Sequence, residues 1–87
     1  MYDFEFDNNK STSNLEKHGI DFASAQKLWL DAGLVEVKAK SEDEPRFVVI
    51  AKIANKYWSA VITHHGSSIR IISVKRSRKA EVEIYES

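Results

Sequence analysis

The chain of 87 residues contains no cysteine, one proline, three glycines and no surplus of charge of either sign. Without cysteine there can be no disulfide and no thiolate metal site, which suits a reducing compartment. The single proline, Pro45, follows the polar stretch 41–44, and there is no repeat, low-complexity tract or linker. One domain over residues 1–87 is therefore expected, with a modest core. No apolar run approaches the ~20 residues that span a bilayer. The opening MYDFEFDNNK has neither the basic nor the apolar region of a signal peptide. These absences lead to the expectation of a soluble cytoplasmic protein. A hydrophobic fraction of 43% with 10% aromatics places it among globular chains rather than disordered ones.

The zero net charge conceals a division. Residues 1–45 carry five Lys/Arg against ten Asp/Glu, whereas residues 46–87 carry eight against three. Separated charge of this kind can present one face to a polyanion, or the halves can neutralise each other on folding. The basic half ends in IRIISVKRSRKAEVEIYES, where a β-branched run passes into Lys75, Arg76, Arg78 and Lys79 and then into an acidic helix-like end. Strands and helix termini are rigid supports for cations, so this segment directs the reading toward RNA.

Residues 2–7 alternate apolar and acidic side chains, the period of a half-buried strand. Asp7 or Asn8 then caps a polar helix running to about His18, with Gly19 as a left-handed stop. Asp21 caps a second helix whose Phe22, Ala25, Leu28 and Trp29 form an apolar stripe for a sheet. Segments 34–40, 46–53, 57–64 and 69–76 are β-rich, with turns at Asn55-Lys56 and Gly66-Ser67-Ser68. Short connections imply an antiparallel meander. A short helix over 78–86, capped by Ser77, closes an α+β domain: N-terminal helices on a four-stranded antiparallel meander, with a C-terminal helix.

Lys10, Asn14, Lys17 and His18 share one face of the first helix. They suit an RNA site with imidazole as proton carrier, or a basic C-terminal turn that complements the helix dipole. Arg78 and Lys79 fall in the first turn of the last helix, where cations are disfavoured unless an anion is near. With Lys75 and Arg76 they suggest a phosphate pocket, unless Glu81 neutralises them. Arg78, Glu81 and Tyr85 share a helix face, although Tyr85 alone suits packing. Strict alternation along 69–76 puts Arg70 with Ile72, Val74 and Arg76, and Lys75 with Ile71 and Ser73. The His64-His65 pair is a weak metal motif, since strand neighbours point oppositely and no third ligand is placed nearby. Trp29 and Trp58 read as core.

Taken together these motifs resemble the BrnT family, toxins of type II toxin–antitoxin systems with a RelE-like ribonuclease fold. The resemblance rests on Phe4-Glu5-Phe6-Asp7, Lys10, Asn14, Lys17-His18-Gly19-Ile20, Phe22 and Ala25. It resumes at Arg46-Phe47, Ile69-Arg70-Ile71-Ile72-Ser73, Glu81 and Tyr85, and so covers nearly the whole chain. Two positions depart from the family pattern: Ala51 stands where Gly is frequent, and Lys75 where Arg is common. Lysine keeps the charge without the planar fork that grips phosphate.

The resemblance implies a ribonuclease that inhibits translation, needs no metal or other cofactor, and is neutralised by a BrnA-type antitoxin. It also implies a homodimer within the toxin–antitoxin complex, touching DNA only through the antitoxin. Lys75, Arg76 and Arg70 are the expected charge stabilisers, His18 the proton carrier, and Tyr85 or Glu81 its counterpart. Lys10, Lys17, Arg46, Arg78 and Lys79 are the expected RNA contacts. The rival reading is a non-catalytic module whose basic face holds an acidic partner. Direct DNA binding ranks last, because no helix combines an exposed base-reading face with a helix-turn-helix partner.

Overall fold

Asp7 begins the first helix by accepting the backbone N–H groups of Asn9 at 2.8 Å and Lys10 at 3.1 Å, two donors that the helix cannot satisfy itself. The helix ends at Gly19, whose φ of 81° is left-handed and whose N–H reaches the Leu15 carbonyl. Both ends thus lie where the sequence places them. The computed structural model describes residues 2–41 and 43–87; Met1, and Glu42 within the polar stretch 41–44, lie outside the described residues. In chain order the elements are β1 (Asp3–Glu5), α1 (Asn8–His18), α2 (Phe22–Ala25), a 3-10 segment (Gln26–Leu30), β2 (Val35–Ala39), β3 (Arg46–Ile53), β4 (Lys56–His65), β5 (Ser68–Arg76) and α3 (Lys79–Glu86).

The strands form one sheet in the order β1-β5-β4-β3-β2. Strands β2 to β5 are the expected antiparallel meander. The four-stranded expectation is corrected by β1, which pairs parallel to β5 with Phe4 opposite Ile69 and Glu5 opposite Arg70, making the sheet five-stranded and mixed. Short connections reveal hairpins only, and β1 reaches its partner across most of the chain. A tight turn with Ala54 and Asn55 at φ 49° and 68° joins β3 to β4, one residue earlier than the sequence suggests.

The expected second helix is also corrected. Only one turn, α2, is α-helical; the rest winds as a 3-10 segment, and Phe22, Ala25 and Leu28, spaced three residues apart across the two, are all buried. All three are at most 1% exposed, and they cover a sheet face made by Val49, Ala51, Ala60, Ile62, Ile69, Ile71 and Val74. Trp29 packs edge-on against Phe4 at 4.9 Å. Burial of this apolar face is the main driving force for the fold, roughly 1.5–3 kcal/mol per large side chain. Ser11 ties the layers by accepting the Phe22 N–H at 2.9 Å.

The other sheet face is covered only in part. Helix α3 packs there against β3, with the Tyr85 ring edge-on to Tyr57 at 5.4 Å and the Lys52 ammonium over both rings. Its N-cap is Arg78, one residue later than the expected Ser77. Gly33 is required beneath it, because a Cβ there would stand 2.6 Å from the Tyr85 hydroxyl. Among the described residues no helix is long and apolar enough to cross a membrane.

Candidate functional site

A β-bulge in β5 decides which cations meet. The β4–β5 register pairs Thr63 with Arg70 and Ile62 with Ile71, then skips Ile72 and pairs Val61 with Ser73 and Ser59 with Lys75. Inserting one unpaired residue reverses the alternation beyond it. Arg70, Ser73 and Lys75 therefore share the face that carries Thr63, Val61 and Ser59. Ile71, Val74 and Arg76 share the opposite face with Ile62, Ala60 and Trp58. The strictly alternating assignment is overturned: Arg70 lies with Lys75, and Arg76 lies apart from both. The Arg76 guanidinium sits 5.5 Å from the Trp58 ring, and its Nε donates to the Tyr57 carbonyl at 3.2 Å. Both contacts fix it to the strand end.

Helix α1 completes the site from the edge. Strand β1 pairs only with residues 68–70, so the edge of β5 beyond them lacks a strand partner. Asn14, buried in α1, replaces it. Its Nδ2 donates to the carbonyls of Val74 and Ile20, each at 2.8 Å, and its Oδ1 accepts the Val74 N–H at 3.1 Å. The side chain thus imitates a neighbouring peptide and pins the strand just past the bulge. Lys10, Lys17 and His18 then line one shallow pocket with Ser73 and Ile72. Ser73 lies between Arg70 and Lys75 along the strand, so the pocket joins the basic sheet face.

At the far end of the same face Arg46 begins β3 opposite Ala39, and the register carries it beside Thr63. Arg70 makes an ion pair with Glu5 at 3.5 Å, both side chains being 39% exposed. Glu5 also accepts from His65 Nδ1–H at 2.7 Å. His64 turns to the other face and meets Glu36 at 3.0 Å. The two imidazoles thus serve different glutamates on different faces of the strand.

The tail residues are occupied differently from their expected convergence. Glu81 accepts the Arg78 N–H at 2.7 Å, so the first turn of α3 is satisfied by its own carboxylate. Glu81 thus occupies one of the amides at this helix start, and the Arg78 and Lys79 side chains make no ion pair among the described residues. Tyr85 donates to Asp31 at 2.8 Å, and that bond, followed by burial, holds the phenol above its usual range. The bond ties α3 to Asp31, which follows the 3-10 segment.

Sequence reading missed Asp31. Burial pushes its carboxyl up, but the N–H groups of Gly33 and Lys52, the Tyr85 hydroxyl and the Lys52 charge outweigh this and lower it. A lowered folded value stabilises the fold above the unfolded value, and that stabilisation is lost as pH falls through the folded one. Thermal melts on acidification below pH ~4 should therefore fall more steeply for the parent than for Asp31→Asn. Equal acid limbs would show that Asp31 does not anchor α3. Thr63 and Glu5 were missed as well; the only signal for Thr63 was a hydroxyl residue within an otherwise apolar strand.

The family model described as "Ribonuclease toxin, BrnT, of type II toxin-antitoxin system" matches residues 6–81 of this chain. No curated protein matches it.

Proposed function

Because the chain belongs to the BrnT family of ribonuclease toxins of type II toxin–antitoxin systems, we propose that it is a RelE-like, metal-independent endoribonuclease working on the open face of β5. The observation that carries this reading is the bulge at Ile72, which brings Arg70 and Lys75 to one face beside the pocket of Lys10, Lys17 and His18. β-bulges are over-represented next to active sites because they re-aim side chains.

In this reading a base removes the proton of an RNA 2′-hydroxyl, and the oxygen attacks the adjacent phosphorus. The bond from phosphorus to the 5′-oxygen breaks, leaving a cyclic phosphate, and an acid protonates the departing oxygen. Negative charge on the phosphoryl oxygens peaks in the transition state. Fixed cations aimed there are therefore the largest expected contribution. Arg70 and Lys75 supply them, and His18 is the proton carrier because it lines the adjoining pocket. Lys10, Lys17 and Arg46 track the flanking backbone. Tyr85 and Glu81 position α3 through Asp31 and Arg78. Arg76, Arg78 and Lys79 add only to the surrounding positive potential.

A BrnA-type antitoxin is the proposed neutralising partner, with a toxin homodimer in the complex. A groove of Tyr2, Phe4, Ala23, Trp29 and Leu30, rimmed by Gln26 and Lys27, on the helical side of the sheet, with Leu30 85% exposed, offers a place for a partner segment. The test is inducible expression of this chain beside His18→Ala, followed by cleavage assays on purified protein in EDTA. Growth arrest with RNA loss, relieved by His18→Ala and reproduced in EDTA over many turnovers, is the expected result. A well-folded chain that leaves growth and RNA intact would favour the non-catalytic module.

A further inference from the structure

We propose that Arg46, Thr63 and Arg70 form a second phosphate subsite on the same sheet face, holding the RNA backbone at a distance from the bond that is cut. This rests on the ribonuclease reading and extends it from Arg70 to Thr63 and Arg46, which lie outside the reacting centre. Thr63 is 2% exposed, and its hydroxyl has no hydrogen-bond partner among the described residues. A buried hydroxyl without a partner destabilises a fold, and valine would fit a strand at least as well. The neighbouring positions on this face of the sheet are valines, Val48 and Val61.

The neighbours explain what the hydroxyl lacks. Arg70 stands opposite it on β5, and on β3 Arg46 takes the next register position after the Phe47–Ile62 pair, which continues to Thr63. Guanidinium groups donate and cannot accept, so neither can take the Thr63 proton. An anionic oxygen between the two arginines would accept from all three groups at once. Arg46 has no ion pair among the described residues, and the single carboxylate near Arg70 is Glu5 at 3.5 Å. That contact steadies one nitrogen of Arg70 and leaves its other donors free.

The subsite is separated from the reacting one. Thr63 and Ser59, the partners of Arg70 and Lys75, are four residues apart on β4, about 13 Å. A strand of RNA lying along β5 would be gripped at both ends of this interval. Arg70 stands at the boundary and serves both.

Thr63→Val isolates the hydroxyl, because it keeps the strand propensity and nearly the shape. Binding is read by fluorescence anisotropy with a short 2′-O-methyl RNA, which cannot be cut through its 2′-oxygen. Cleavage is read with the corresponding unmodified RNA. Thr63→Val is expected to melt at or above the parent temperature while raising Kd and KM roughly tenfold, with kcat unchanged. Its slope of log affinity against log salt should match the parent, whereas Arg46→Ala should lower that slope by about 0.7. Thr63→Ser should restore binding. A stable Thr63→Val with parental Kd and KM would overturn the subsite while the ribonuclease reading stood. A lower melting temperature would make the hydroxyl structural and also overturn it. A parent chain that neither binds nor cuts RNA would instead overturn the ribonuclease reading on which the subsite depends.

Discussion

Lys75→Ala is expected to slow RNA cleavage by about 10²–10³ without disturbing the fold, the loss typical of one preorganised group facing a developing oxyanion. The side chain is half-buried on the open face, and its strand neighbour is Ser59 rather than a carboxylate. No described ion pair involves it, so removing its charge strands no partner. The loss should appear in kcat more than in KM, since the charge it opposes is greatest in the transition state. Lys75→Arg should retain activity or raise it, because a fork can hold two phosphoryl oxygens where an ammonium holds one. Parental cleavage by Lys75→Ala in a purified assay would remove this residue from the reacting centre.

Asn14→Ala should produce the largest loss of stability of any single polar substitution considered. Asn14 is 6% exposed, and its amide makes three hydrogen bonds, two of them to the backbone of Val74. Removing it leaves two buried carbonyls without the amide and one N–H without an acceptor, at about 1 kcal/mol or more each. A total near 3 kcal/mol corresponds to a melting temperature lower by roughly 15 °C in a domain of this size. Asn14→Asp keeps the acceptor for the Val74 N–H but sets an oxygen against two carbonyl oxygens, so it should be no better. Leu15→Ala, at the neighbouring and 47% exposed position, should change stability little. If Asn14→Ala melts like the parent, the helix does not pin the strand. The bulge would then need another support. Because Val74 lies two residues beyond the bulge, the surviving fraction of Asn14→Ala should also cleave RNA poorly.

The local signals of this chain are strong where a single residue type decides the geometry. Asp7, Gly19 and Asp21 mark helix ends because capping depends on one side chain or one left-handed φ. The meander was legible because apolar runs and short turns alternate along one stretch of chain. What escaped reading depends on contacts between distant segments. Strand β1 finds its place through Ser68, Ile69 and Arg70, sixty-five positions away in each pair (68 − 3), and Asn14 through Val74, sixty positions away. The site was half legible for the same reason. His18, Lys10 and Lys17 were on one helix face by periodicity, and the pocket gathers them. The assignment of Arg70 and Lys75 to opposite faces failed because nothing in IRIISVKR announces that Ile72 is unpaired. A bulge is set by the partner strand, and only the β4 register reveals it. Likewise Tyr85 and Glu81 look like reactive groups in isolation, yet the fold commits them to Asp31 and Arg78.

The central claim is that the bulge selects Lys75 over its neighbour Arg76 for the RNA face. The direct measurement is the single-turnover cleavage rate of one RNA by purified Lys75→Ala and Arg76→Ala, each confirmed folded by its melting curve. The expected result is a loss of about 10²–10³ for Lys75→Ala and a rate close to the parent for Arg76→Ala. Loss of cleavage in folded Arg76→Ala with a parental rate in Lys75→Ala would contradict the account.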